Sequence, residues 1–176
     1  GQSVTLSAGI TYGILPTFSS ITPDNGRIAG GQSLTIVGTG FGSSTVAYFA
    51  ADSCPITSYT ATSLVCTSPA KSAGTYALIV QNGSSTFSAT FGTAFSYNPM
   101  PTITGITPAV SGTGGGVVAT ITGTGFLTGI SATVGGTACT SLTRNSSTSL
   151  SCTVPAKAVA SYDVVVTNAD TQAVTS

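Results

Sequence analysis

The chain has 176 residues with four Lys or Arg, four acidic residues and no His, and only 5% of its residues are charged. Because four basic side chains cannot neutralise a row of phosphates, we predict that the chain has no nucleic-acid partner. Without His the usual general base and the commonest metal ligand are missing, so we predict a protein that is not an enzyme and needs no cofactor or metal. No apolar run reaches the roughly 18 residues of a spanning helix, so we also predict no membrane span.

The first predicted element is a strand within residues 1–15, GQSVTLSAGITYGIL. Its apolar residues alternate strictly with small polar ones, which is typical of a strand with one buried face. The residues predicted to share that face are Val4, Leu6, Ala8, Ile10 and Tyr12.

Two copies of one unit follow the opening strand. PTFSSITPDNG at Pro16 recurs as PTITGITPAVSG at Pro101, 85 residues later, and LTIVGTGF recurs as ATITGTGF at the same offset. After one inserted residue, CTSPAKSAGTYALIVQN is matched by CTVPAKAVASYDVVVTN. The repeat predicts two homologous domains, residues 16–100 and 101–176, joined through the short YNPMP segment.

Within each copy the pattern is strand and turn throughout. Apolar residues alternate in Ser33–Val37, in Tyr76–Val80 and in its counterpart Tyr162–Val166, and Gly, Pro and Asn separate these runs. The first copy closes with Phe87–Tyr97, which has the pattern of a last strand. Short alternating runs at this spacing predict a β-sandwich.

The repeated motifs resemble those of a known family. The stretches PTITGITP, TITGTGF, VGGTACT, CTVPA and YDVVVTN are similar to the IPT/TIG family of immunoglobulin-like domains. The fold class predicted is therefore all-β, with two tandem immunoglobulin-like (IPT/TIG) β-sandwiches preceded by an N-terminal donor-type β-strand. The resemblance implies a binding or structural module, as in repeats of cell-surface receptors and microbial surface proteins, rather than a particular chemistry.

The four cysteines fall one pair per copy at equivalent positions, Cys54 with Cys66 and Cys139 with Cys152. A disulfide within each domain is the interpretation that we favour. Zinc is the alternative, but the thiols are divided between two domains and no His accompanies them. Disulfides predict a secreted, extracellular or cell-surface protein.

Two sequons, NGS at Asn82 and NSS at Asn145, are candidate N-glycosylation sites. We expect Asn82 in an exposed turn between strands and Asn145 in an exposed loop. Asp24 in PDNGR is a candidate calcium ligand, which Asp52 would strengthen, but a plain turn is favoured because calcium needs six to eight ligands.

Three further features have a functional and a structural interpretation. The glycines of VGTGFG suggest a phosphate loop or a bend between strands, and the bend is favoured because no helix follows. Lys71 and Lys157 suggest a Ser–Lys dyad, but their PAK segments recur at equivalent places and indicate a shared turn. Tyr48, Phe49 and Tyr59 suggest a sugar-stacking surface, with core or edge packing as the favoured alternative.

The opening strand suggests how subunits assemble. At an offset of 85 residues, Ile10 aligns with Phe95 and Tyr12 with Tyr97, whereas the second copy shows no counterpart of this aromatic pair. The expectation is a secreted structural subunit of an extracellular filament, in which the N-terminal strand of one subunit completes the C-terminal domain of an identical subunit. The first alternative is spacer or ligand-binding repeats of a longer cell-surface adhesin or receptor. The second is a carbohydrate-binding accessory module, so glycans or a cell-surface ligand are candidate partners.

Overall fold

The computed structural model describes Ser3 and residues 12–176. It divides into two compact units, Gly1–Tyr97 and Asn98–Ser176, whose regular elements are strands. Val4, Leu6, Ala8 and Ile10 of the predicted opening strand lie outside the described residues, and Tyr12 is 90% exposed. In the described part of the chain, no helix is long and apolar enough to cross a membrane.

Domain 1, from Pro16 to Tyr97, is a sandwich of two antiparallel sheets. Its strands are β1 (Thr17–Thr22), β2 (Asn25–Arg27), β3 (Ser33–Thr39), β4 (Thr45–Phe49), β5 (Asp52–Cys54), β6 (Ile56–Tyr59), β7 (Ser63–Thr67), β8 (Gly74–Asn82) and β9 (Ser84–Asn98). One sheet has the order β1-β3-β7-β6 and the other the order β2-β9-β8-β4-β5.

Domain 2, from Pro101 to Ser176, repeats this arrangement with a smaller second sheet. Its strands are β10 (Thr102–Thr107), β11 (Val118–Thr124), β12 (Ser131–Val134), β13 (Thr137–Ala138), β14 (Thr140–Ser146), β15 (Ser149–Thr153), β16 (Val164–Thr167) and β17 (Ala173–Thr175). The sheets have the orders β10-β11-β15-β14 and β13-β12-β16-β17.

The buried face predicted for each strand is the face that forms the core. Leu34 and Ile36 of β3 are fully buried between the sheets of domain 1, and Ile121 of β11 occupies the same place in domain 2. The alternation of β3 and β11 positions these side chains, because successive residues of a strand point to opposite faces. The all-β, immunoglobulin-like fold class predicted from the sequence is confirmed.

The GTGF motif is a bend between strands, which confirms the interpretation favoured over a phosphate loop. A Cβ at Gly38 would overlap the carbonyl oxygen of Thr17 on the neighbouring strand. Gly40 follows with a φ of 78°, in the left-handed region that favours glycine. Phe41 then packs into the core of domain 1. The motif therefore ends β3, turns the chain and anchors the turn.

The predicted strand Tyr162–Val166 is shorter in the structure and begins only at Val164. Its counterpart β8 begins earlier in the repeat, at Gly74, and the extra residues pair with the end of β9. In domain 2 the described residues place β17 beside Val165–Thr167 and no strand beside residues 160–163. A strand is defined by its hydrogen-bonded partner, so the alternating sequence alone does not set where it starts.

Candidate functional site

Each domain has one disulfide, and both connect the two sheets. Cys54 of β5 is bonded to Cys66 of β7, with Cα atoms 5.5 Å apart. Cys139, which lies between β13 and β14, is bonded to Cys152 of β15, with Cα atoms 5.6 Å apart. The predicted pairs are therefore formed, and the thiols are not available as metal ligands.

The side chain of Asn82, a candidate glycosylation site, makes hydrogen bonds within domain 1. Its side-chain amide donates hydrogen bonds to the carbonyl oxygens of Ile14 (2.8 Å) and Gly40 (2.7 Å), and its oxygen accepts one from the Thr45 hydroxyl (2.6 Å). Asn168 is the counterpart in domain 2 and donates to the Gly125 carbonyl oxygen. The expectation that Asn82 is exposed is therefore wrong, because its side chain is half-buried against the GTGF turn.

Asn145 is exposed as expected, but it lies near the end of β14 rather than in a loop. Its amide donates to the hydroxyl of Ser151 on the neighbouring strand β15, at 2.7 Å. β14 is the edge strand of its sheet, so the side chain of Asn145 stands on an open surface.

The charged candidates have structural partners. Lys71 forms an ion pair with Asp52, and its ammonium lies over the ring of Tyr76 at 4.7 Å from the centroid. Lys157 donates to the Gly135 carbonyl oxygen (2.8 Å). The backbone N–H groups of both lysines make the same turn contact, which confirms a shared PAK turn. Among the described residues, no group of three or more His, Cys, Asp or Glu stands close enough to hold a metal ion.

The three aromatic candidates do not form one surface. Phe49 is fully buried in the core of domain 1, where its ring lies 5.4 Å from that of Phe95. Tyr48 is on β4 and Tyr59 is on β6, and these strands belong to opposite sheets.

The end of β9 closes the core of domain 1 with an aromatic cluster. Phe95 and Tyr97 are almost fully buried, and the ring of Tyr97 meets those of Phe95, Phe49 and Tyr76 edge-on. The Tyr97 hydroxyl donates to the Pro69 carbonyl oxygen at 2.9 Å. Burial, and secondarily the negative charge of Asp52, raise the pKa of Tyr97 to about 12, so the phenol stays neutral and keeps this hydrogen bond.

Domain 2 has an open apolar groove of about 490 Å³ at the corresponding place. Residues that line this strand groove include Pro108, Val110, Ile121, Val159, Tyr162 and Val164. Val110 is 79% exposed and Val159 is 92% exposed, whereas Ile121 at the base is buried. The strand groove therefore has exposed apolar side chains at its rim and a buried core residue at its base.

The strand groove is bordered by two segments that are strands in domain 1. In domain 1, β9 is hydrogen-bonded to β8 on one side and lies beside β2 on the other, with the Ser96 N–H donating to the Asp24 carbonyl oxygen at 3.0 Å. In domain 2 the counterparts of these borders are residues 110–112 and 160–163, which form no strand in the structure.

Comparison with known proteins gives the family. The family model for the IPT/TIG domain matches residues 16–97 and again residues 101–176. The chain belongs to the IPT/TIG domain family. Both copies therefore confirm the resemblance that the repeated motifs indicated.

Relatives of this IPT/TIG chain include much longer proteins. It is 37% identical to human fibrocystin-L over 108 residues, which are 60% of this chain and 2% of that protein. The solved extracellular region of plexin A4 has the same fold, with a TM-score of 0.57 at 21% identity, covering 99% of this chain and 19% of that one. The SGBP-B protein of a xyloglucan utilization locus in Bacteroides uniformis is more distant, with a TM-score of 0.42 at 18% identity over 92% of this chain and 48% of that one.

Proposed function

We propose that the two IPT/TIG domains are spacer and ligand-binding repeats of a longer extracellular, cell-surface protein. The observation that carries this proposal is the disulfide that ties the two sheets together in each domain, because such bonds persist in oxidising compartments. The similarity to fibrocystin-L supports the proposal that the chain is part of a longer protein, since the chain spans only 2% of the length of fibrocystin-L.

The proposed binding role rests on the apolar surface of domain 2 rather than on reactive or charged side chains. The charged residues of the described chain are few, and most of them bond to neighbouring groups, whereas domain 2 presents the apolar strand groove. We therefore favour protein recognition over recognition of sugars, since Tyr48 and Tyr59 lie on different sheets and do not form a stacking platform. A glycan array probed with the purified chain tests the carbohydrate alternative directly.

The head-to-tail filament predicted from the opening strand is a second candidate. Four of the five residues on which it depends lie outside the described part of the chain, and the fifth, Tyr12, is 90% exposed. The relatives favour repeats of a larger protein, and we give that interpretation precedence.

An antibody against the 176-residue chain tests the proposal on cells that make the protein. We expect labelling of intact cells and, on an immunoblot, a band far larger than 17.2 kDa. Labelling that requires permeabilised cells would contradict the extracellular location. A single band at the mass of this chain would contradict membership of a longer protein.

A further inference from the structure

The two disulfides differ in how completely the fold covers them. In domain 1 both cysteines are sealed in the core, since Cys54 is 1% exposed and Cys66 is 0% exposed. In domain 2 Cys152 is 1% exposed, but Cys139 is only partly buried against the core. The disulfide of domain 2 is therefore open to solvent on one side, at Cys139.

The disulfide of domain 1 is covered from both of its strands. Cys54 is the last residue of β5, and Asp52 at the start of this strand forms the ion pair with Lys71. On the other side, Ile56 of β6 stands directly opposite Cys66 and packs against the core. Neither sulfur atom is therefore offered to a reagent in solution.

The same features are missing around the disulfide of domain 2. β13 ends one residue before Cys139, and Thr137 stands where domain 1 has Asp52. Opposite Cys152 the pairing of β14 with β15 is interrupted, and the exposed residue Ser141 lies in the interruption. β13 is the edge strand farthest from β17 in its sheet, so the last strand has no bearing on access to Cys139.

We infer that Cys139 is a site of thiol–disulfide exchange, at which low-molecular-weight thiols open the disulfide of domain 2 while that of domain 1 stays closed. The rate of such exchange depends on the access of the attacking thiolate to a sulfur atom, and exposed disulfides are the labile ones. The difference in cover around Cys139 and Cys54 therefore becomes a difference in reactivity.

The exchange takes place in two steps. A thiolate attacks Sγ of Cys139 and forms a new S–S bond with it, while the bond to Cys152 breaks and Sγ of Cys152 leaves as a thiolate that takes up a proton. A second thiol then displaces Cys139 from this mixed disulfide. Two thiols are thereby oxidised to one disulfide, and the two cysteines are reduced.

The exchange site goes beyond the proposed function, because it makes one of the two domains sensitive to reductant. Opening the bond at Cys139 removes the covalent link between the sheets of domain 2 and leaves the link of domain 1 in place. The reaction needs no other part of a longer protein and can be measured on this chain alone.

Treatment of the folded 176-residue chain with graded amounts of reduced glutathione is the test. Samples are quenched in mildly acidic urea with N-ethylmaleimide, which blocks free thiols, and their peptides are mapped by mass spectrometry without reduction. Early in the reaction we expect glutathione on Cys139 and N-ethylmaleimide on Cys152. The disulfide of domain 2 should open roughly tenfold faster than that of domain 1, or more, because only Cys139 gives access to a sulfur atom.

The matched control is the same treatment of the chain unfolded in urea. There both pairs should open at similar rates, because their sequence separations of 12 and 13 residues are nearly equal. Equal opening of both disulfides in the folded chain, earlier opening of Cys54–Cys66, or no opening of either overturns the inference. Glutathione on Cys152 in place of Cys139, or a rate difference that persists in urea, also overturns it.

Discussion

Tyr97 shows how one side chain links core packing to the loop above it. Its ring is buried among aromatic neighbours, while its hydroxyl holds the Pro69 carbonyl oxygen. Because burial raises its pKa to about 12, the folded chain retains the phenolic proton at a pH where the unfolded chain, with a tyrosine pKa of about 10, releases it. The stabilisation is therefore fully present below about pH 10 and is lost as the pH rises toward about 12.

Tyr97→Phe tests this coupling. We expect the variant to lose about 1 kcal/mol of unfolding free energy at neutral pH, the value of one buried hydrogen bond. Between about pH 10 and about 12, stability should then fall less steeply in the variant than in the wild type. Urea unfolding across this range measures both effects, with Tyr59→Phe as the control because Tyr59 is 49% exposed. Parallel pH profiles for Tyr97→Phe and the wild type would contradict the assignment.

Asn82 and Asn145 have the same sequon but opposite surroundings. We expect a glycan on Asn145, whose side chain is exposed on an edge strand, and none on Asn82, whose amide holds Ile14 and Gly40. Glycopeptide mass spectrometry of protein from its native source measures occupancy at each site. A glycan on Asn82 in the folded protein would contradict this expectation, since the modified nitrogen has only one hydrogen left to donate.

At the scale of elements, each disulfide adds a covalent bond between the two sheets of its domain. Each closes a loop of similar length, with sequence separations of 12 and 13 residues. A closed loop of this size stabilises the folded state by about 3 kcal/mol in the chain-entropy account.

Cys54→Ala with Cys66→Ala should therefore lower the unfolding free energy of domain 1 by about 3 kcal/mol. Cys139→Ala with Cys152→Ala should do the same for domain 2. Calorimetry of both double variants beside the wild type checks this, and treating the wild type with reductant provides a comparison without substitution. A loss confined to one domain in both variants would show that the bonds are not equivalent.

Comparison of the chain with itself made the strands predictable. The copies align so closely that Leu34 and Ile36 identify the buried face of β3 and, by equivalence, that of β11. The start of β16 was not predictable, because the alternation in Tyr162–Val166 says nothing about a partner strand. The hydrogen bonds of Asn82 could not be predicted from its sequon, because a sequon is the motif that a glycosylating enzyme recognises and says nothing of the bonds that the amide makes in the fold. The useful signal was that Asn168, its counterpart, is retained without a sequon.

At the scale of the whole molecule, the two copies of one fold differ in the strand that pairs with β8 in domain 1 and with β16 in domain 2. Domain 1 contains all of β9, and its core is closed by Phe95 and Tyr97. Domain 2 has the short strand β17 and then the strand groove, with Val110 and Val159 exposed at its rim.

Peptide mapping without reduction, on protein from its native source, tests the proposed extracellular location most directly. We predict that Cys54 is recovered linked to Cys66 and Cys139 linked to Cys152, because such bonds persist in oxidising compartments. Recovery of the four cysteines as free thiols would contradict the proposal.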